Sequence, residues 1–216
     1  FILENIKNVV SVPVHFMALS AASSVELVHQ AQCDGLAVTC GVSPLYLMAT
    51  DSDLSDYDAT LKVNPPLRNA ENQAALIDCV KKGKVDMFSS HHMPMGLDSK
   101  RCDFYSAQFG CSMIDSYVLA CVDIALKHQI PHQQLIQMLS TNPGRFLGGE
   151  LTQLEMGKPA QFTLVDCKKP TTLTQSMLHS KSRMNPFIDR TFNATIKAVC
   201  INGRLEMNEY SSDAVS

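Results

Sequence analysis

The chain has 216 residues, and 18 basic against 21 acidic residues give it a formal net charge of −3. This length allows one or two domains with a sizeable core, and the absence of any block of like charges argues against a nucleic-acid-binding surface. The longest uncharged stretch, residues 8–25, is interrupted by polar residues and Pro13, so the sequence predicts no membrane-spanning helix.

Cysteine usage indicates the cellular compartment. The eight cysteines form no Cys-x-x-Cys pair and lie mostly within apolar segments. Reduced thiols of cytoplasmic proteins have this distribution, so we predict a cytoplasmic protein without a disulfide framework. Charged residues make up only 18% of the chain, below the roughly 25% of an average soluble domain. We therefore expect part of the surface to be covered by a partner or in an oligomer. The start at Phe1, without Met, indicates a piece of a longer protein.

Strands and helices alternate in the first part of the chain. A helix is predicted over residues 2–10, a strand over 12–17, a helix from a Ser20 cap to about residue 32, and, after Gly35, a strand over 36–40. The pattern continues with a short strand over 60–64, a helix over 71–82 closed by Gly83, and a strand over 85–89. Such alternation is typical of a parallel sheet flanked by helices.

The later part of the chain is organised differently. A long irregular segment, residues 90–110, precedes helices over 114–128 and 132–139, the second entered at Pro131. After Gly148 and Gly149 the hydrophobic period changes to two. This predicts strands over 161–165 and 195–201, and a hairpin turn at Asn202–Gly203. Four strands before residue 148 would be half of an eight-stranded (β/α) barrel, whose chemistry lies at the carboxyl ends of its strands.

A motif at the end of the third predicted strand carries a family resemblance. Residues 62–68 read Lys-Val-Asn-Pro-Pro-Leu-Arg, which resembles the Lys-x-Asn-Pro-Pro-Leu-Arg loop of dihydroorotases in the amidohydrolase superfamily. Residues 20–28, 142–148 and 180–187 are similar to other segments of that family. The resemblance implies an α/β chain: the C-terminal half of a TIM-type barrel in residues 1–148, then strands of a small β-sandwich in residues 149–216. It also implies that the first half, with a His-x-His metal pair, is absent.

The residues at the implied site depart from the family pattern. The metal-ligand histidines of the fifth and sixth strands correspond to Ala18 and Leu45, and methyl and isobutyl groups cannot bind zinc. The catalytic Asp corresponds to His91, and a substrate-binding His corresponds to Met95. The resemblance thus implies no catalytic residue and no bound zinc, although active relatives use zinc. Asn64, Arg68, His92 and Met95 would remain as a vestigial substrate pocket.

Structural interpretations stand beside these functional ones. Adjacent residues of an extended chain point to opposite sides, so His91 and His92 are more easily read as packed or loop histidines than as ligands of one metal. Residues 64–68 could form only a rigid turn around two prolines. His15 is predicted to be a satisfied core histidine, and Cys40 a buried, inert thiol.

Two functions follow from the resemblance. The first is a non-catalytic dihydroorotase-like subunit, closest to inactive homologues that support the assembly of aspartate carbamoyltransferase in pyrimidine biosynthesis. The second is an active, metal-dependent cyclic amidohydrolase, a dihydroorotase or a hydantoinase, whose altered site is completed by the absent half. The four replacements at the site favour the first function.

Overall fold

The computed structural model describes residues 2–9, 12–148 and 154–208, which divide into two compact units. The first unit comprises residues up to 114 together with 180–186, and the second comprises residues 115–179 and those from 187 onward. The predicted domain boundary lies between residues 148 and 149, and residues 149–153 lie outside the described residues. Val10, the last residue of the predicted first helix, also lies outside them. That boundary stays a prediction.

The first unit consists of helices and a parallel sheet. Its helices are α1 (Ile2–Val9), α2 (Ala22–Cys33), α3 (Pro44–Met48) and α4 (Ala70–Lys81). Its strands are β1 (Val14–Phe16), β2 (Val38–Val42) and β3 (Met87–Phe88). They lie in the order β1-β2-β3, and both pairs are parallel. The predicted parallel sheet with intervening helices is confirmed.

The core of this unit follows from the apolar spacing of its helices. In α2 the buried residues recur every third position, at Ala22, Val25, Val28 and Ala31, which places them on one face. This face packs against β2 and α4. Cys40 lies at the centre of β2 and is fully buried, and burial raises the pKa of its thiol to about 12. The predicted burial of this thiol is confirmed, and its chemical inertness stays a prediction.

The predicted strand over residues 60–64 is wrong. Ala59–Leu61 form a short 3-10 helix, because the Asp58 carboxylate accepts a hydrogen bond from the Thr60 amide at 2.8 Å. Strand β2 pairs directly with β3, and beyond β3 a single parallel bridge joins His92 to Cys111. The described part of this unit therefore contains three strands of a barrel rather than four.

Ser20 does not cap α2, contrary to the prediction. Ala21 occupies the cap position, and the cap is supplied by Asn72 of α4, whose Oδ1 accepts from the Ala22 amide at 3.0 Å. The Asn72 amide group also donates to the Ser20 carbonyl at 2.8 Å. The Ser20 hydroxyl instead accepts from Arg68 Nε at 3.2 Å. A partner 50 residues away in sequence has overridden the local capping preference.

The described part of the second unit contains three α-helices and two small antiparallel sheets. The helices are α5 (Ile114–His128), α6 (His132–Ile136) and α7 (Asn142–Phe146), with a π-helical turn between α6 and α7. The strands are β4 (Phe162–Asp166), β5 (Thr171–Thr172), β6 (Thr191–Phe192), β7 (Thr195–Ile201) and β8 (Arg204–Met207). They form a β4-β7-β8 sheet and a β5-β6 pair.

Several local predictions hold in the second unit. Helix α5 has its predicted bounds, whereas α6 ends three residues early, where the π-helical turn begins. The hairpin turn between β7 and β8 is confirmed, because Asn202 and Gly203 adopt φ angles of 50° and 79°. All eight cysteines are free. Within the described ranges, no helix has both the length and the apolar character needed to cross a bilayer.

Candidate functional site

The segments that follow β1, β2 and β3 meet at one end of the parallel sheet. The amide of Leu19, after β1, donates to the Gly41 carbonyl of β2 at 2.9 Å. The Tyr46 hydroxyl, after β2, lies 3.2 Å from Nδ1 of His91, after β3. The carboxyl ends of parallel strands share one edge of a sheet, which is where barrel enzymes carry their chemistry. The sequence correctly predicted which segments meet there.

Ala18 occupies the first of the implied metal-ligand positions. It is 4% exposed, and its φ of 56° lies in the left-handed region, where an alanine costs about 1–2 kcal/mol. Its methyl group carries no lone pair that a metal could use. The chain therefore keeps a strained backbone at a position that can no longer bind metal.

Substituting glycine at this position tests the strain. We expect Ala18→Gly to change the free energy of unfolding by less than about 1 kcal/mol, because relief of the left-handed strain offsets the lost methyl burial and the greater freedom of the unfolded chain. The matched control is Ala31→Gly in α2, also 4% exposed, which should cost about 2 kcal/mol. Equal losses in urea denaturation would show that Ala18 is unstrained.

Leu45 occupies the second implied ligand position and has become part of the core. It lies in α3, whose first turn is fixed by Pro44 and by the Ser43 hydroxyl, which accepts from the Leu45 amide at 3.3 Å. The residue is fully buried, with an exposed fraction of 0%. Its isobutyl group fills the space in which a ligand would stand and offers a metal no electron pair.

His91 replaces the implied catalytic carboxylate, and each of its ring nitrogens lies within hydrogen-bonding distance of an oxygen atom. Nε2 lies 3.1 Å from the Asn64 carbonyl, and Nδ1 lies 3.2 Å from the Tyr46 hydroxyl. The same hydroxyl donates to the Pro65 carbonyl at 2.8 Å. We call these four residues the Tyr46–His91 clasp. It fastens the segments after β2 and β3 to two successive carbonyls of the 64–68 loop.

The clasp fixes the proton positions on the His91 ring. A carbonyl only accepts, so Nε2 must carry the proton that it gives to Asn64. Burial lowers the pKa of His91, although the hydrogen bond to Asn64 acts in the opposite direction. In the neutral ring Nδ1 is then the acceptor, and it competes with Pro65 for the Tyr46 proton. Burial also raises the pKa of Tyr46, which keeps its hydroxyl protonated.

The lowered pKa of His91 makes stability depend on pH. Near pH 6.5 the histidine of the unfolded chain binds a proton, whereas His91 of the folded chain stays neutral. The free energy of unfolding is therefore highest above that pH, and it decreases as the pH is lowered through the folded-state pKa. We expect wild type to lose more stability between pH about 7.5 and about 5.5 than His91→Gln does. The control His132→Gln, at an exposed histidine, should keep the wild-type slope in urea titrations. An unchanged slope in His91→Gln would contradict this account.

His92 serves the backbone. Its Nδ1 accepts from the amides of Met113 and Ile114 at 3.1 and 3.2 Å, so the ring carries its proton on Nε2. Those amides lie at the start of α5, where helical donors lack intrahelical acceptors. The predicted vestigial substrate role of His92 is therefore joined by a structural one. His15, in β1, is half-buried and bonded to the Thr39 hydroxyl at 2.8 Å, in agreement with its predicted structural role.

Asn64, Arg68 and Met95 are the other residues predicted to form the vestigial pocket. The side chains of Asn64 and Arg68 are exposed, and Arg68 donates to Ser20. Met95 is half-buried beside Gly110, where a Cβ atom would approach the Met95 methyl to 3.3 Å and the Met93 carbonyl to 2.6 Å. Only a glycine, here at φ 125°, permits this close contact. The structure thus places Asn64, Arg68, His92 and Met95 on adjoining segments.

Sequence reasoning missed two lysines that secure the long 90–110 segment. Lys100 is 3% exposed, and its ammonium donates to the carbonyls of Ala59 and Lys62 at 2.7 and 3.3 Å. Burial lowers the pKa of Lys100. The Lys62 ammonium reaches in the other direction, to the carbonyls of Phe104 and Tyr105 at 2.8 and 2.7 Å. Lys62 is the first residue of the 62–68 motif, and this position was the sequence signal that could have indicated its role. Nothing in the sequence indicates that Lys100 is buried.

The residues at the site do not fit the zinc that active relatives of the resembled family use. Across the parts of the chain that the structure describes, no three His, Cys, Asp or Glu side chains are grouped to hold one ion. Ala18 and Leu45 have no atoms that could bind a metal, and Nε2 of His91 is engaged by the Asn64 carbonyl. The described residues at this site therefore make apolar contacts and hydrogen bonds, and they do not form a metal site.

Comparison with known proteins places this geometry in context. The amidohydrolase family model matches residues 6–205. A dihydroorotase of Acetivibrio thermocellus is 31% identical over 199 residues, covering 92% of this chain and 47% of the relative. A dihydroorotase of Carboxydothermus hydrogenoformans is 35% identical over 179 residues, covering 82% of this chain and 42% of the relative. The chain thus spans about half the length of the curated relatives it matches.

Solved structures show the same partial coverage. The L-hydantoinase of Arthrobacter aurescens superimposes with a TM-score of 0.87 at 22% identity, covering 98% of this chain and 49% of that one. The inactive dihydroorotase-like domain of the Chaetomium thermophilum CAD-like multifunctional protein gives a TM-score of 0.65 at 16% identity, covering 89% and 50%. At these identities the likeness concerns the fold, and the fold here is part of a barrel.

Proposed function

The chain belongs to the amidohydrolase family, and from this premise we propose that it is a non-catalytic, dihydroorotase-like subunit that supports the assembly of aspartate carbamoyltransferase in pyrimidine biosynthesis. The family membership covers only part of the barrel. The activity and the partner of the whole protein are therefore proposals.

The state of the site at the ends of the strands carries the proposal. Hydrolysis of a cyclic amide requires an activated water and a group that passes its proton to the leaving nitrogen. Here the implied ligand positions hold the buried side chains of Ala18 and Leu45. His91, at the implied carboxylate position, donates from Nε2 to the backbone carbonyl of Asn64, and its Nδ1 lies 3.2 Å from the Tyr46 hydroxyl. These residues maintain the shape of the site and supply none of that chemistry.

A structural neighbour supports the non-catalytic interpretation. The Chaetomium thermophilum domain shares this fold and is itself described as inactive and dihydroorotase-like. The choice of aspartate carbamoyltransferase as partner comes from the resemblance to inactive homologues of the dihydroorotase family. The competing function, an active dihydroorotase or hydantoinase completed by the other half of the barrel, has support from fold likeness to hydantoinases. It requires metal ligands that the described residues lack.

The scaffold role is tested in cells that lack the full-length protein. We expect the assembled fraction of aspartate carbamoyltransferase, measured by size-exclusion chromatography with an activity assay, to fall several-fold. Wild-type protein and the variant His92→Asn, which keeps an acceptor for the amides at the start of α5, should both restore it. Unchanged assembly in the deletion strain would refute the scaffold role, and failure of His92→Asn alone would indicate that the site itself acts.

A further inference from the structure

A pair of metal-ligating side chains lies on helix α2, apart from the candidate site. His29 and Cys33 are separated by four positions, so they stand one above the other on the same face of the helix. Nε2 of His29 lies 4.0 Å from Sγ of Cys33. His29 is half-buried and Cys33 is exposed, so an ion in solution can reach both atoms.

The pair lies towards the edge of the parallel sheet that is opposite to the candidate site. Cys33 is the last residue of α2, and the chain then turns back into β2, which begins at Val38. Nε2 of Gln32 donates to the Val38 carbonyl at 3.0 Å and so joins the end of the helix to the start of the strand. The candidate site follows the carboxyl ends of the strands, so the two sites share no residue.

The separation of the two atoms suits a single metal ion. In tetrahedral zinc sites the metal–sulfur distance is about 2.3 Å and the metal–nitrogen distance is about 2.0–2.1 Å, which places the two ligand atoms roughly 3.6 Å apart. The observed 4.0 Å is longer by about 0.4 Å, which small rotations of the two side chains can close. A contact of 4.0 Å is a weak hydrogen bond, so an ion that replaces it displaces little.

The electrostatic surroundings favour a cation. Residues 22–34 contain no lysine or arginine. The carboxylates of Glu26 and Asp34 flank the pair along the chain, although Glu26 is bonded to Lys84 at 2.6 Å. The 12-residue helix ends at Cys33, and its C-terminal carbonyls carry a partial negative charge. The same end of the helix disfavours a free thiolate, which argues for a metal ligand rather than a nucleophile at Cys33.

The chemistry of the two ligand atoms selects the ion. Magnesium and calcium take oxygen ligands, whereas a thiolate and an imidazole together suit zinc and related thiophilic cations. We propose that His29 and Cys33 chelate one zinc-class divalent cation, with water in the remaining coordination positions. On binding, the Cys33 thiol releases its proton to solvent and the neutral His29 ring binds through Nε2. The proposal goes beyond the scaffold role and does not depend on it.

Cadmium is a suitable probe, because a cadmium–thiolate bond absorbs ultraviolet light and so reports the sulfur ligand directly. Titration of the full-length protein with Cd²⁺ should produce this absorption, and Cys33→Ser should lose the part that belongs to this site. His29→Gln keeps the thiol but should weaken cadmium binding there about 10-fold or more, since it removes one of two chelating ligands. The control Cys102→Ser, at another exposed cysteine, should bind cadmium as wild type does.

A second variant separates chelation from an effect of the thiol alone. Cys33→His keeps two ligands at the same spacing, so zinc should still bind, in competition with a chromophoric chelator, while the cadmium absorption is lost. Absence of the absorption in wild type, unchanged absorption in Cys33→Ser, equal cadmium affinity in His29→Gln, or loss of zinc binding in Cys33→His would each overturn the proposal.

The metal pair and the scaffold role are tested separately. Zinc measurements that concern the candidate site are made in the Cys33→Ser background, which removes the contribution of α2. None of the cadmium results bears on the assembly of aspartate carbamoyltransferase, so the two proposals fail independently.

Discussion

Full-length protein purified without chelators is expected to hydrolyse dihydroorotate no faster than the uncatalysed reaction, at least about 10⁴-fold below an active dihydroorotase. The physical reason is that the site has lost both the ligands for a metal that activates water and the carboxylate that transfers the proton. Buried methyl and isobutyl groups stand at the implied ligand positions Ala18 and Leu45, and Nε2 of His91 is engaged by the Asn64 carbonyl. The measurement is product formation, together with zinc per chain by elemental analysis. The Acetivibrio thermocellus relative, assayed in parallel, is the positive control.

About one or two zinc ions per chain with measurable turnover would contradict this expectation and favour the active amidohydrolase. The triple variant Ala18→His, Leu45→His, His91→Asp shows how the site was lost. Zinc uptake by this variant would mean that only the ligands have changed. We expect no uptake, because Leu45 is fully buried and its surroundings have packed around an isobutyl group.

Leu45→Ala is expected to lower the free energy of unfolding by about 2–5 kcal/mol. Leu45 is 0% exposed, so truncation removes apolar burial and leaves a cavity beside α3. The matched control is Leu27→Ala in α2, where the side chain is 62% exposed and alanine is a good helix former. That change should lie within about 0.5 kcal/mol of wild type. Urea denaturation at neutral pH measures both.

The loss of unfolding free energy in Leu45→Ala shows whether this position belongs to a packed core or borders an open pocket. A loss below about 1 kcal/mol would mean that the implied ligand position still borders an open site, which could admit a substrate or a metal. A loss in the expected range would mean that the position now contributes to folding. Together with the hydrolysis assay, it would describe a site that keeps its shape through packing and hydrogen bonds.

Several local features of this chain were readable from its sequence. Apolar residues at helical spacing gave the bounds of α5, and Asn202–Gly203 gave the β7–β8 hairpin, because both depend on residues that are close along the chain. The chemistry missing from the candidate site was equally readable. Ala18 and Leu45 lack donor atoms in any fold.

Tertiary structure decided what depends on residues that are distant along the chain. Asn72 caps α2 across 50 residues, and Tyr46 meets His91 across 45. Lys100 is buried because the carbonyls of Ala59 and Lys62 satisfy its ammonium, although a lysine by itself predicts an exposed position. A sequence pattern specifies the faces of helices and strands. Which polar groups satisfy one another is fixed only when the chain has folded, because a buried donor takes whichever acceptor the packing brings within reach.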